Sequence, residues 1–178
     1  MTGQGQLFAP GGYPRSGARM SACGKYRYEL WRDWAAGRRC NFIMLNPSTA
    51  DEVENDPTVE RCQRRAQQWG YDRLVVTNLF ALRSTDPSAL LSAEDPTAAG
   101  ENDLAILEAA LASSLVVCAW GNHGHILARS AQVRLMLTEA DVVLHYLKLG
   151  KTGEPCHPLY LPYSLKPTLW LPALKVSL

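Results

Sequence analysis

Four short runs of almost purely apolar residues, 41–45 (NFIML), 73–80 (RLVVTNLF), 115–120 (LVVCAW) and 142–147 (VVLHYL), set the strongest limit on how this chain can fold. A strand with one wet face alternates apolar and polar residues, whereas a continuously apolar strand is buried on both faces. Helical periodicity separates the runs. Asp56 suits an N-cap and Pro57 the first helical position, Val59, Cys62, Ala66 and Trp69 recur at helical spacing, and Gly70 supplies the stop. Leu104, Leu107 and Leu111 predict the stripe of a second helix after Gly100, and 126–137 predicts a third. Strands alternating with helices predict an α/β fold, a three-layer sandwich with a mostly parallel central sheet.

The flanks read differently. Residues 25–34 (KYRYELWRDW) predict a strand with Tyr26 and Tyr28 on one face. Five glycines and two prolines within residues 1–20 predict a flexible N-terminal arm, leaving 21–178 as a single α/β domain. The tail, with Pro155, Pro158, Pro162, Pro167 and Pro172, predicts extended, irregular structure.

Composition narrows the class. A chain of 178 residues with 47% hydrophobic and 20% charged residues is an ordinary globular composition. No apolar run reaches the roughly 18 residues of a membrane span, and no apolar signal core opens the chain, so a cytoplasmic protein without membrane contact is expected. Five scattered cysteines, none in a CxxC pair, suggest reduced thiols rather than a disulfide framework or zinc site. The net charge of +1 neither requires nor excludes nucleic acid. No cofactor, metal-ligand set or obligate protein partner is indicated.

Right-handed crossovers place the carboxyl ends of parallel strands on one edge, where ligands of open α/β sheets bind. The chain puts Asn46-Pro47-Ser48 after the first apolar run, Asn78 in the second, Trp120-Gly121-Asn122-His123 after the third, and Lys148, Lys151 and His157-Pro158 beyond the fourth. That accumulation of amides, imidazoles, an indole and ammonium groups predicts a functional cleft. Each residue also has a structural reading. Asn46 before Pro47 is a turn former, and Asn78 is an amide that could clamp a loop. His123 and His125 stand two apart and do not share a helix face. Cys156 and His157, adjacent in extended chain, point to opposite sides, which argues against a Cys/His nucleophile.

The stretches MLNPSTAD, DPTVERC, WGY, VVTNLFALRSTDP, AWGNHG and KTGEPCHPLYL resemble the family catalogued as domain of unknown function 1643, across residues 25–161. The order of strand–Asn-Pro, strand–Asn, strand–Trp-Gly and late His-Pro is similar, more distantly, to the uracil-DNA glycosylase superfamily. That resemblance implies a uracil-DNA-glycosylase-like sheet. It implies that Asn46 positions the attacking water, that Asn78 reads a base edge, and that His157 assists the departing base. Pro47, Ser48, Trp120, Gly121, Lys151 and Pro158 would complete the substrate site.

The expected function is therefore a nucleobase-directed hydrolase acting on the N-glycosidic bond of a nucleic acid or nucleotide. Two other classes stand beside it: a non-catalytic nucleotide or nucleic-acid binding module, and a phosphoester hydrolase using Asp51 and Asp56 with a divalent metal.

Overall fold

In the computed structural model, which describes residues 14–48, 50–51 and 53–171, the apolar runs lie side by side at the centre of one sheet. The strands are β1 (Arg15–Met20), β2 (Arg27–Asp33), β3 (Arg39–Met44), β4 (Arg73–Asn78), β5 (Leu115–Cys118), β6 (Leu144–Tyr146) and β7 (Thr168–Leu169), and their spatial order is β1-β2-β4-β3-β5-β6-β7. The helices are α1 (Pro57–Gln68), the single turn α2 (Ala89–Ser92), α3 (Ala99–Leu111) and α4 (Arg129–Glu139).

Each central strand sends alternate side chains into different layers. Cys40, Phe42 and Met44 of β3 face Val59, Cys62 and Ala66 of α1, while Ile43 faces Ile106 and Ala110 of α3 and Val133 and Leu137 of α4. Burial on both faces is why these strands read as unbroken apolar runs. The start of α1 is as its sequence requires: Asp56 accepts a hydrogen bond from the Val59 amide at 2.8 Å, and Trp69 beyond the helix stacks on Phe42.

The sheet is mixed, not mostly parallel. β4–β3, β3–β5 and β5–β6 pair in parallel, whereas β1–β2, β2–β4 and β6–β7 are antiparallel. The antiparallel strands lie toward the flanks: β2 falls within the strand expected over 25–34, while β1 and β7 lie in charged, glycine- and proline-rich sequence that hides the strand signal. Part of the expected arm is in fact β1. Gly17 is there for close approach, because a Cβ would lie 2.1 Å from the Trp31 ring. The remainder of that arm, residues 1–13, lies outside the described residues.

Two helix expectations also change. Leu104 and Leu111 are 52% and 60% exposed, and α3 instead buries Asn102, Ala105, Ile106, Ala109 and Ala110. The alanines permit close approach to the sheet, and the larger leucines project sideways. Residues 122–128 form an irregular 3₁₀ segment with Ile126 and Leu127 outside helical geometry, so α4 begins only at Arg129.

Buried cations hold the loops at the carboxyl edge. Arg27, Arg32, Arg65 and Arg129 are each 6% exposed or less. Arg27 donates to the Ala50 carbonyl, and Arg32 donates to the carbonyls of Asp51 (2.7 Å) and Glu54 (3.2 Å) and to Asn55 Oδ1 (2.8 Å). Arg65 donates to Leu161 and Pro162, and Arg61 to Pro158 and Leu161. Arg129 Nε donates to Leu79, whose carbonyl also accepts from Asn102 Nδ2. Replacing Arg32 by Met removes three hydrogen bonds from a charged donor to the 51–55 loop. The expected cost is about 2 kcal/mol, read as a lower urea midpoint at unchanged slope, with faster amide exchange in that loop. An unchanged midpoint would show that the loop is held by other means.

Candidate functional site: a cleft at the carboxyl edge of the sheet

The order of crossovers creates the cleft. From β3 the chain leaves toward α1 on one face, and from β5 it leaves toward α4 on the other. Between the ends of these adjacent parallel strands lies the point where crossover direction reverses, the position at which open α/β sheets bind ligands. A cleft of about 340 Å³ opens there, floored by Met44, Leu45 and Val76 and walled by the loops after β3, β4 and β5 and the start of α1.

This cleft brings together Asn46, Ser48, Asn78, Trp120, Gly121 and His157. It does not include the other three expected residues. Pro47 and Pro158 are buried and brace loops: their carbonyls accept from Ser84 N and from Arg61 Nε. Lys151 is exposed on a turn outside the cleft lining.

Hydrogen bonds already made fix what each side chain still offers. Asn46 donates both ways from Nδ2, to the carbonyls of Ser84 (2.7 Å) and Pro47 (3.2 Å). Its amide is thereby oriented with Oδ1 as the remaining group, an acceptor. His157 is set in the opposite sense. Its Nδ1 accepts from the Leu159 amide at 3.3 Å, so the neutral ring carries its proton on Nε2 and is a donor. Burial lowers the His157 pKa below the ordinary 6.5, opposed by the nearby charge of Asp56.

The loop carrying His157 is pinned to the end of β5. The Gly121 amide donates to the Pro155 carbonyl at 2.8 Å, and Trp120 Nε1 donates to Glu154 Oε2 at 2.5 Å. Glu154 Oε1 in turn accepts from Ser130 at 2.7 Å. Gly121 has φ +79°, a left-handed conformation that favours glycine, whereas a Cβ there would meet His157 Cβ at an ordinary 3.5 Å, so the requirement for glycine is conformational rather than steric. The indole of Trp120, 1% exposed, is thus a wall and a brace at once.

Asn78 is 1% exposed and its Nδ2 has no hydrogen-bond partner. The loop clamp that sequence suggested for it is instead Asn102, which reaches the carbonyls of Asn78 and Leu79.

The cleft also contains Asn122 and His123, which follow the third run, and Arg27, Asp56, Thr58, Ser84, Thr85 and Pro87, which strand-end reasoning did not select. Arg27 had a signal: in 25–28 (KYRY) the alternation that sends Tyr26 and Tyr28 one way sends Arg27 the other. Asp56 was legible as a helix cap and, with Asp51, as a candidate metal ligand. Its second oxygen accepts from Ser48, placing a carboxylate in the wall. Asp51 lies outside the lining and accepts from the amides of Val53 (2.8 Å) and Glu54 (2.7 Å), which lowers its pKa. Among the described residues, no three His, Cys, Asp or Glu side chains are grouped to hold a metal ion.

Among the described residues, fold and site together define an α/β protein with a mixed seven-stranded sheet and a cleft with polar side chains in its walls at the topological switch point. A family model described as "Protein of unknown function (DUF1643)" matches residues 27–159, a span holding every residue of the cleft lining, and the chain belongs to that family. No curated protein and no solved structure matches the chain. Among the described residues, no helix is long and apolar enough to cross a membrane.

The tautomer of His157 yields a pH prediction. Its folded pKa is depressed, so as pH falls below 6.5 the unfolded chain takes up a proton that the folded chain refuses. The stability gained from the neutral ring is complete above 6.5 and is lost as pH falls through the lower folded value. The difference in unfolding free energy between wild type and His157→Asn should therefore shrink on acidification. A difference independent of pH would contradict a buried neutral imidazole.

Proposed function

We propose that the cleft is the active site of a nucleobase-directed hydrolase that cleaves an N-glycosidic bond, with a uracil-DNA-glycosylase-like arrangement of its strand-end residues. One observation carries the reading: Asn46 is tied so that it presents an acceptor, while His157 is tied so that it presents a donor, in the same cleft. Hydrolysis at an anomeric carbon requires that pair of opposites, an acceptor that orients water and a donor for the oxygen of the departing base.

In this reading Asn46 Oδ1 accepts a hydrogen bond from the attacking water. The water oxygen bonds to the anomeric carbon, the carbon–nitrogen bond breaks, and its electron pair leaves with the base. His157 Nε2–H stabilises the negative charge gathering on the base oxygen, and Asp56 in the cleft wall accepts the proton shed by the water. Asn78 supplies the amide that reads the base edge. Trp120 and Gly121 close the wall, with Ser48 holding Asp56. A volume of about 340 Å³ suits a group of nucleoside size. Action on a base within a duplex would require flipping it out of the stack. The substrate is accordingly a nucleic acid or nucleotide.

A metal-dependent phosphoesterase has less support, since Asp51 commits its carboxylate to the Val53 and Glu54 amides outside the cleft. A binding module would use the same hydrogen-bonding groups without turnover, and kinetics separates it. Asn46→Ala and His157→Ala should each lower kcat for base release by about 10²-fold with little change in KM, because both groups act mainly in the transition state. Full activity in the double variant would refute the assignment.

A further inference from the structure

Arg27 and Asn78 come from two strands, β2 and β4, that pair antiparallel, and both line the cleft. They are 2% and 1% exposed, and neither Arg27 Nε nor Asn78 Nδ2 has a hydrogen-bond partner. Arg27 uses Nη1 on the Ala50 carbonyl, and among the described residues no carboxylate lies within ion-pair distance of it. Burying a guanidinium without an anion is costly, and so is burying an amide donor without an acceptor. Two such deficits in the lining of one cleft describe a place for a ligand.

The surroundings say which kind. Burial acts most strongly on Arg27, with Asp56 and Asp51 favouring its charged form and Arg83 and Arg32 opposing it. Each Asp56 oxygen accepts one hydrogen bond, from Val59 N and from Ser48 Oγ, and keeps a second lone pair. The start of the twelve-residue α1, with its positive dipole end, reaches the same wall through Thr58. His157 adds a neutral donor. The groups that Arg27, Asn78 and His157 still offer are donors, and Arg27 carries a positive charge.

We propose that Arg27 and Asn78 form an anionic-oxygen subsite, which receives an oxygen bearing full or developing negative charge. A phosphate group and a nucleobase leaving as its anion share that chemistry. The subsite rests on the geometry of the cleft and does not require glycosidic cleavage.

The test is titration of the purified full chain, in buffer free of phosphate and sulfate, with inorganic phosphate, with urate (an oxo-purine that is anionic at neutral pH), and with adenosine. Phosphate or urate should bind, adenosine should bind at least about tenfold more weakly, and the anion should shift the side-chain N–H resonances of Arg27 and Asn78. Binding of phosphate alone would assign the subsite to a phosphoryl group, and binding of urate to the base. Asn78→Asp keeps the shape but replaces a donor by a charge, and should weaken the anion about tenfold or more. Asn78→Leu should lose the anion too without lowering Tm, since it removes an unsatisfied donor. The proposal is overturned if neither anion binds, if the two side-chain resonances stay fixed on saturation, or if folded Asn78→Asp binds as tightly as wild type. Glycosidic cleavage measured in parallel separates this result from the catalytic reading: anion binding without cleavage leaves the subsite and removes the glycosidase, and cleavage without anion binding does the reverse.

Discussion

Guanidinium-to-carbonyl hydrogen bonds on the carboxyl edge of the sheet are the interaction on which the rest of the structure depends. The segment after β6 is long, with one 3₁₀ turn at Pro158–Tyr160, and it and the described residues of the loop after β3 carry carbonyls that no backbone ladder satisfies. Arg27 and Arg32 gather the carbonyls of Ala50, Asp51 and Glu54, while Arg61 and Arg65 gather those of Pro158, Leu161 and Pro162. Arginine suits this task because its planar fork offers several fixed donors, stays charged when buried, and lays its stem along apolar surface. The first pair comes from β2 and the second from α1, so strand and helix jointly fix the walls that bear Ser48, Asp56 and His157.

That bracing explains how groups of opposite character persist in one cleft. Asn46 is held as an acceptor by two carbonyls, and His157 as a donor by one amide, all of them backbone groups. Preorganisation of this kind is what electrostatic catalysis requires. Asn78 and Arg27 are its counterpart: donors kept buried and incompletely bonded, a cost to stability that the surrounding core offsets.

Much of this was legible in the sequence, and the failures have physical causes. The four apolar runs located the central strands because burial on both faces removes polar residues from them. Asp56, Pro57 and the Val59–Cys62–Ala66 spacing located α1 because capping and helical period are local properties. β1 and β7 were hidden, since edge strands tolerate polar residues and Gly17 looked like a loop signal when it serves close packing with Trp31. The α3 stripe misled because size was taken for burial, whereas Ala105 and Ala109 are what fit against the sheet. Within the cleft, strand ends pointed to Asn46, Asn78, Trp120 and His157. Arg27 escaped notice because it enters from an antiparallel strand whose beginning, not its end, reaches that edge.

The most direct test of the account follows the oxygen of water. The chain is incubated in H₂¹⁸O with a panel of modified-base oligonucleotides and nucleosides, the reducing sugar is trapped with borohydride at the quench, and products are weighed by mass spectrometry. Water attack at the anomeric carbon predicts free base without label and ¹⁸O in the sugar. Label in phosphate, label in the base, or substrate recovered intact would contradict it.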